Sequence, residues 1–191
     1  MRSPDQHDYP GLELLRLARA SIEHGAIHRE PLPVRYESLP PSLRRPGATF
    51  TSLQLDGELR GCCGSIEAVN PLAVDTADSA FRAAYRDPRF DPVTPQEIAA
   101  LCLEVSVLTP LEAFPVSSED DLLERLAPGI DGLLITAGPR RATFLPKVWE
   151  TLPDPHQFVA ALKVKCGLPR DAWSDDFQFF RYQTVSYAES F

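Results

Sequence analysis

Leu59-Arg60-Gly61-Cys62-Cys63-Gly64-Ser65-Ile66 decides the reading of this chain. It follows Asp56-Gly57, a dipeptide suited to the tight hairpin turn in which both central residues take positive φ. Residues 48–55 supply a partner strand, so 48–66 reads as a β-hairpin. The second strand is odd strand chemistry. It begins with a cation and sets two glycines around two thiols, although glycine weakens a strand interior and leaves its surface bare. Such a strand suits the close approach of a ligand or of another backbone.

Outward from the hairpin, the pattern is mixed. Residues 11–24 have Leu14, Leu15, Ala18 and Ile22 at helical spacing, with Gly25 as the expected stop. Residues 26–46 hold five prolines and no period, a long connection of the kind that often covers a site. Asn70-Pro71 reads as an N-cap and first helical position, opening a helix to about Arg86 that carries Ala73, Ala77, Ala80, Phe81 and Ala84 on one face. Thr94-Pro95-Gln96-Glu97 is a capping box. Residues 101–108 alternate as a strand, with Leu103, Val105 and Val107 on one side and Cys102, Glu104 and Ser106 on the other.

The second half repeats this order. A short helix at 117–126 precedes a hairpin of 133–137 and 141–145 across Gly138-Pro139. A helix capped by Asp154-Pro155 follows and ends at Gly167, and residues 177–187 read as one long alternating strand. Strand-strand-helix-strand therefore occurs twice, which suggests an internal duplication with approximate halves at 11–110 and 111–191. Hairpins without regular βαβ crossovers predict an α+β fold with a mainly antiparallel sheet flanked by helices.

Bulk composition narrows the function classes. The net charge of −8 and the absence of a Lys/Arg run argue against a nucleic-acid partner. The apolar runs are too short to span a membrane, and residues 1–10 lack the apolar core of a signal peptide, so the expected location is cytoplasmic. Cysteines at 62, 63, 102 and 166 include no Cys-x-x-Cys pair, and adjacent Cys62 and Cys63 point to opposite faces of a regular strand. Reduced thiols are expected, with no disulfide framework.

Candidate site residues gather on the hexapeptide. Alternation puts Arg60, Cys62 and Gly64 on one face, and a neighbouring guanidinium favours the reactive thiolate. A buried structural cysteine is the competing reading of Cys62. Arg60 has the donor fork for a carboxylate or phosphate, or else an ion pair with Glu58 or Glu67. Glu104, set among apolar residues, is either a general acid or base or the partner of Arg60. His24 and His28 are four apart, but a helix broken at Gly25 would not place them on one face, and no metal site is expected. Gly61 and Gly64 lack the following Lys-Ser/Thr of a phosphate loop. Lys163 and Lys165 complement the end of a helix dipole.

Several stretches together resemble the AMMECR domain family, also called AmmeMemoRadiSam system protein A. They are Leu59 to Gly64, Asp87-Pro88-Arg89-Phe90, Glu104 to Pro110, Gly129-Ile130-Asp131-Gly132, Ala142 to Pro146 and Val185 to Glu189. In order and spacing they span roughly residues 11–191. The chain departs from the pattern at Cys63, where the family usually has a bulky aliphatic, often isoleucine. If that side faces the core, the thiol is a smaller filler.

The resemblance implies two unequal subdomains around a cleft, a hexapeptide that matters, and association with a Memo-like protein and a radical SAM protein. It implies no cofactor in this chain, which lacks the clustered cysteines of an iron–sulfur centre, and it assigns no reaction. Three readings follow. In the first, the chain is an accessory or binding module, with Arg60, Gly61, Gly64 and Arg89 holding a small anionic ligand or a partner segment. The second is a thiol-dependent group-transfer enzyme with Cys62 as nucleophile, Arg60 orienting the substrate anion and Glu104 managing protons. The third makes the hexapeptide a packing element.

Overall fold

Asp56 and Gly57 take φ of 53° and 83° in the computed structural model, which describes residues 11–189. They join β1 (Thr49–Leu55) to β2 (Glu58–Gly64) as an antiparallel hairpin. The register slips once. Leu53 pairs with Gly61 and Gln54 with Leu59, so Arg60 is the extra residue of a β-bulge. On the other side of β1 lies β3 (Cys102–Leu108), and beyond it β8 (Thr184–Ala188), giving the order β2-β1-β3-β8.

One face of this sheet carries Leu53, Leu103, Val105 and Val107, all buried with residues of α1 (Gly11–His28) and α3 (Leu72–Tyr85). The predicted stop at Gly25 is wrong: α1 runs on to His28. A Cβ at Gly25 would stand 2.6 Å from the Tyr85 ring and 2.7 Å from the Phe81 ring, so this glycine serves the close approach of α1 to α3. Asn70 is likewise not the N-cap of α3, a position taken by Pro71. Residues 29–48 are not a bare loop. They include a 3₁₀ turn at Tyr36–Ser38 and α2 (Pro41–Arg44), and Leu43 is fully buried in the core. Inside the same layer Asp75 accepts from the Thr49 amide (2.7 Å), Thr49 Oγ1 (2.8 Å) and Ser65 Oγ (2.6 Å), tying α3 to β1 and to the residue that follows β2.

After α4 (Pro95–Ile98) and β3 the chain forms a second compact unit, residues 109–184, while 185–189 belong to the first. The second unit contains β4 (Glu112–Ala113), α5 (Glu119–Arg125), β5 (Gly132–Ala137), β6 (Arg140–Phe144), α6 (Pro155–Lys165) and β7 (Gln178–Tyr182). Its sheet order is β4-β7-β5-β6. Its core stacks Trp149 on Phe158 at 3.8 Å between centroids, and the indole donates to the Asp131 carbonyl at 2.8 Å.

The repeated order expected from sequence is present in both sheets. Each has a hairpin, then a helix, then a third strand beside the hairpin's first. The fourth strand is exchanged: β4 follows β3 in the chain but joins β7, whereas β8 follows β7 but joins β3. Residues 177–187 are therefore two strands, not one. The break falls at Gln183, whose amide donates to Thr109 Oγ1 (2.9 Å) and whose carbonyl accepts from the Thr109 amide (2.9 Å).

Lys163 lies in the last turn of α6, as expected, but its side chain is fully buried. The ammonium lies 2.8 Å from Glu119 Oε2 without hydrogen-bond geometry, and 5.9 Å from the Trp173 ring centroid. Removing the carboxylate strands a fully buried ammonium, whereas replacing the ammonium with an apolar group of like volume leaves a carboxylate that water still reaches. Lys163→Met should stay within about 1 kcal/mol of wild type. Glu119→Gln should cost about 2 kcal/mol, below the usual buried-pair value because Glu119 is partly exposed. Urea denaturation of both variants measures the difference.

Candidate functional site

The pairing register assembles a row of three side chains on the face of the first sheet opposite α1 and α3. Ser52 pairs with Cys62 on one side and with Glu104 on the other. Its neighbour Leu53 points into the core, so Ser52, Cys62 and Glu104 point away from it. All three are half-buried. Ser52 Oγ donates to Cys62 Sγ at 3.3 Å. Strands are spaced about 4.8 Å apart, so Cys62 and Glu104 stand roughly 10 Å apart with Ser52 between them. The two residues singled out as catalytic candidates therefore share a row but do not touch.

The glycines of the hexapeptide meet protein atoms. A Cβ at Gly61 would lie 2.2 Å from the Ala83 carbonyl oxygen of α3. One at Gly64 would lie 2.3 Å from the Thr49 carbonyl oxygen and 2.4 Å from the Phe50 ring. Both are sites of close backbone approach, one of the two uses open to a strand glycine.

Close packing of α3 on β2 brings the loop after the helix to the strand's edge. The buried Asp87 carboxylate accepts from the Cys62 amide at 2.9 Å. It also receives the Arg89 amide (3.1 Å) and, from the Arg89 guanidinium, Nε (2.9 Å) and an amino group (2.6 Å). Arg89 further donates to the Cys62 carbonyl at 3.3 Å. β2 is an edge strand, and these bonds satisfy the backbone that it would otherwise offer to another chain.

Arg60 turns elsewhere. The bulge aims its guanidinium at Glu97 of α4, with Nε to Oε1 at 2.8 Å and an amino group to Oε2 at 3.2 Å, and it also reaches the Asp91 carbonyl at 2.8 Å. Its partner is neither Glu58, Glu67 nor Glu104. Glu97 meanwhile accepts from the Thr94 amide and hydroxyl, completing the capping box.

Cys63 packs against the first core, so its thiol serves there as a filler. Burial, followed by the charge of Asp87, pushes its thiol pKa up. Among the described residues no three His, Cys, Asp or Glu side chains are gathered to hold a metal ion, and no helix is long and apolar enough to cross a membrane. Ser52, Asp87 and Glu97 are the contributors that periodicity alone misses. Asp87 lies in one of the quoted motifs and Glu97 in the capping box, but only the fold joins them to the hexapeptide.

Two outcomes follow. Gly61→Ala should cost about 2–3 kcal/mol, the upper range for overpacking, because the obstructing atom is backbone; denaturant midpoints test it. The second concerns acid. Arg89, and then the Cys62 amide, hold the Asp87 carboxyl down to about 2 from 3.8. Arg60, and then the Thr94 amide, hold Glu97 at about 2 from 4.5. Both folded-state values lie below the unfolded ones, so this stabilisation is complete above about pH 4.5 and is lost as pH falls toward 2. Asp75, raised by burial, works in the opposite sense. Asp87→Asn should flatten the acid limb of a stability–pH curve and speed exchange of the Cys62 amide.

The profile of the AMMECR1 family matches residues 15–187. A protein of Methanothermobacter thermautotrophicus is 36% identical over 181 residues, covering 94% of each chain. One of Thermofilum pendens is 34% identical over 196 residues, covering 94% of this chain and 90% of the relative. The crystal structure of the uncharacterised protein PH0010 from Pyrococcus horikoshii superposes with a TM-score of 0.87 at 32% identity, over 95% of this chain and 92% of that one. Fold, motifs and relatives agree over nearly the whole length, and the chain belongs to the AMMECR1 family.

Proposed function

We propose that this domain is a binding module, and that its working surface is the sheet face carrying Cys62, Ser52 and Glu104. The occupant is a segment of a partner protein. The observation that carries the reading is the division of labour within the hexapeptide. Gly61 is filled by α3, Gly64 by β1, and the Arg60 fork by Glu97 and the Asp91 carbonyl, which leaves the Cys62 side chain on the face away from the core.

A small anionic ligand fits less well, since Arg60 is occupied and Arg89 is bidentate on Asp87. A thiol-dependent catalyst needs a base at the sulfur. The neighbour on the row is a hydroxyl, and the carboxylate is a strand further away. Resemblance to AmmeMemoRadiSam system protein A supplies the partners to test, a Memo-like protein and a radical SAM protein.

The experiment is titration calorimetry of the purified chain against each of those two proteins from the same genome. Binding is expected to at least one. Cys62→Trp, which places bulk on the row, should weaken it by roughly thirtyfold, the 2 kcal/mol of an interface hot spot, at little cost in melting temperature. No binding to either protein, or unchanged affinity in a folded Cys62→Trp variant, would sink the proposal.

A further inference from the structure

The continuation of α1 through Gly25 has a chemical result away from the sheet face. It puts His24 and His28 one helical turn apart on one side of the helix, the i, i+4 spacing at which helices present two imidazoles to one metal ion. Their ring centroids are 4.2 Å apart, with 30° between the planes. Arg29 then takes φ of 61°, and the turn brings the Glu30 carboxylate back to within 3.9 Å of His24 Nε2. That nitrogen is enclosed and has no hydrogen-bond partner. Two stacked imidazoles, one with an orphaned nitrogen facing a carboxylate at long range, form a donor set that the fold does not otherwise use.

We propose that His24 and His28 form a helix-borne bis-imidazole site for a divalent late first-row transition-metal ion, with Glu30 as a third donor. Imidazole suits Zn²⁺, Ni²⁺ and Cu²⁺, and affinity rises toward Cu²⁺ in the usual order. Three donors are not gathered in advance among the described residues. The rings are stacked, so the exposed His28 imidazole turns about its side-chain torsions to bring both lone pairs onto one ion, water completes the shell, and Glu30 swings in. The Glu30 side chain is 66% exposed, so no packing opposes that movement. A bound ion would fasten the last turn of α1 to the segment that follows it.

Cu²⁺ titration followed by electron paramagnetic resonance tests the site on the full chain. Wild type should bind one ion and show hyperfine coupling to two nitrogen donors. His28→Ala removes an exposed side chain, so folding is preserved, and it should weaken binding and leave one nitrogen. Glu30→Gln should weaken binding with both nitrogens kept, and Zn²⁺ should raise the melting temperature of wild type but not of His28→Ala. His156→Ala, in the second unit, and His7→Ala, outside the described residues, should bind like wild type. The proposal is overturned if wild type takes up no stoichiometric ion. A His28→Ala spectrum matching wild type, or loss of the signal in His7→Ala or His156→Ala, overturns it equally.

Discussion

The approach of the α3 backbone to β2 at Gly61 is the contact on which the rest of the first unit depends. Only a residue without a Cβ lets the Ala83 carbonyl sit there. With the helix that close, the loop leaving it falls against the free edge of β2, where Asp87 takes the Cys62 amide and holds Arg89 against the Cys62 carbonyl. The same loop leads to the capping box of α4, whose glutamate then comes within reach of the bulged Arg60. One missing methyl group thus precedes two ion pairs, the protection of a sheet edge and the placement of a thiol.

The consequence for chemistry is a separation of inward from outward groups along a few residues. The cations of the motif are neutralised by carboxylates and carbonyls of their own unit, and Cys63 goes to the core. Cys62, Ser52 and Glu104 remain together on the opposite face because antiparallel pairing aligns residues directly across strands. Buried polar groups elsewhere follow the same economy. Asp75 is satisfied by three donors, and Lys163 faces a carboxylate and an indole ring.

The exchange of fourth strands makes the first unit discontinuous in sequence. Its sheet is complete only when β8 returns to lie beside β3, and that return is latched. Arg19 of α1 binds Glu189 through two of its nitrogens and also reaches the Ile98 and Leu101 carbonyls, while the Glu189 amide donates to the Leu103 carbonyl. Long-range pairing of this kind carries a loop-closure cost that local hairpins avoid. β8 and Glu189 therefore belong to the folding of the first half of the chain.

Sequence by itself determined the parts governed by local rules. Asp56-Gly57 specified a hairpin turn because its φ values must be positive, Thr94 to Glu97 specified a capping box, and alternation in 102–108 separated the side packed on α1 and α3 from the opposite side. The repeated hairpin-helix-strand order and the family motifs were legible for the same reason. Only the tertiary structure decided the rest. Gly25 reads as a stop yet is a packing site, since the Phe81 and Tyr85 rings it accommodates belong to a helix distant in sequence. Residues 177–187 read as one strand, but their two halves pair with different sheets, a choice made by partners and not by periodicity. Arg60 reads as a donor fork, Glu97 as half of a capping box and Asp87 as part of a family motif, with nothing in the sequence to join them. The pairing of Arg60 with Glu97, the hold of Asp87 on the Cys62 amide, and the row that brings Ser52 between Cys62 and Glu104 depend on strand register and on the close approach of a helix, which no local pattern encodes.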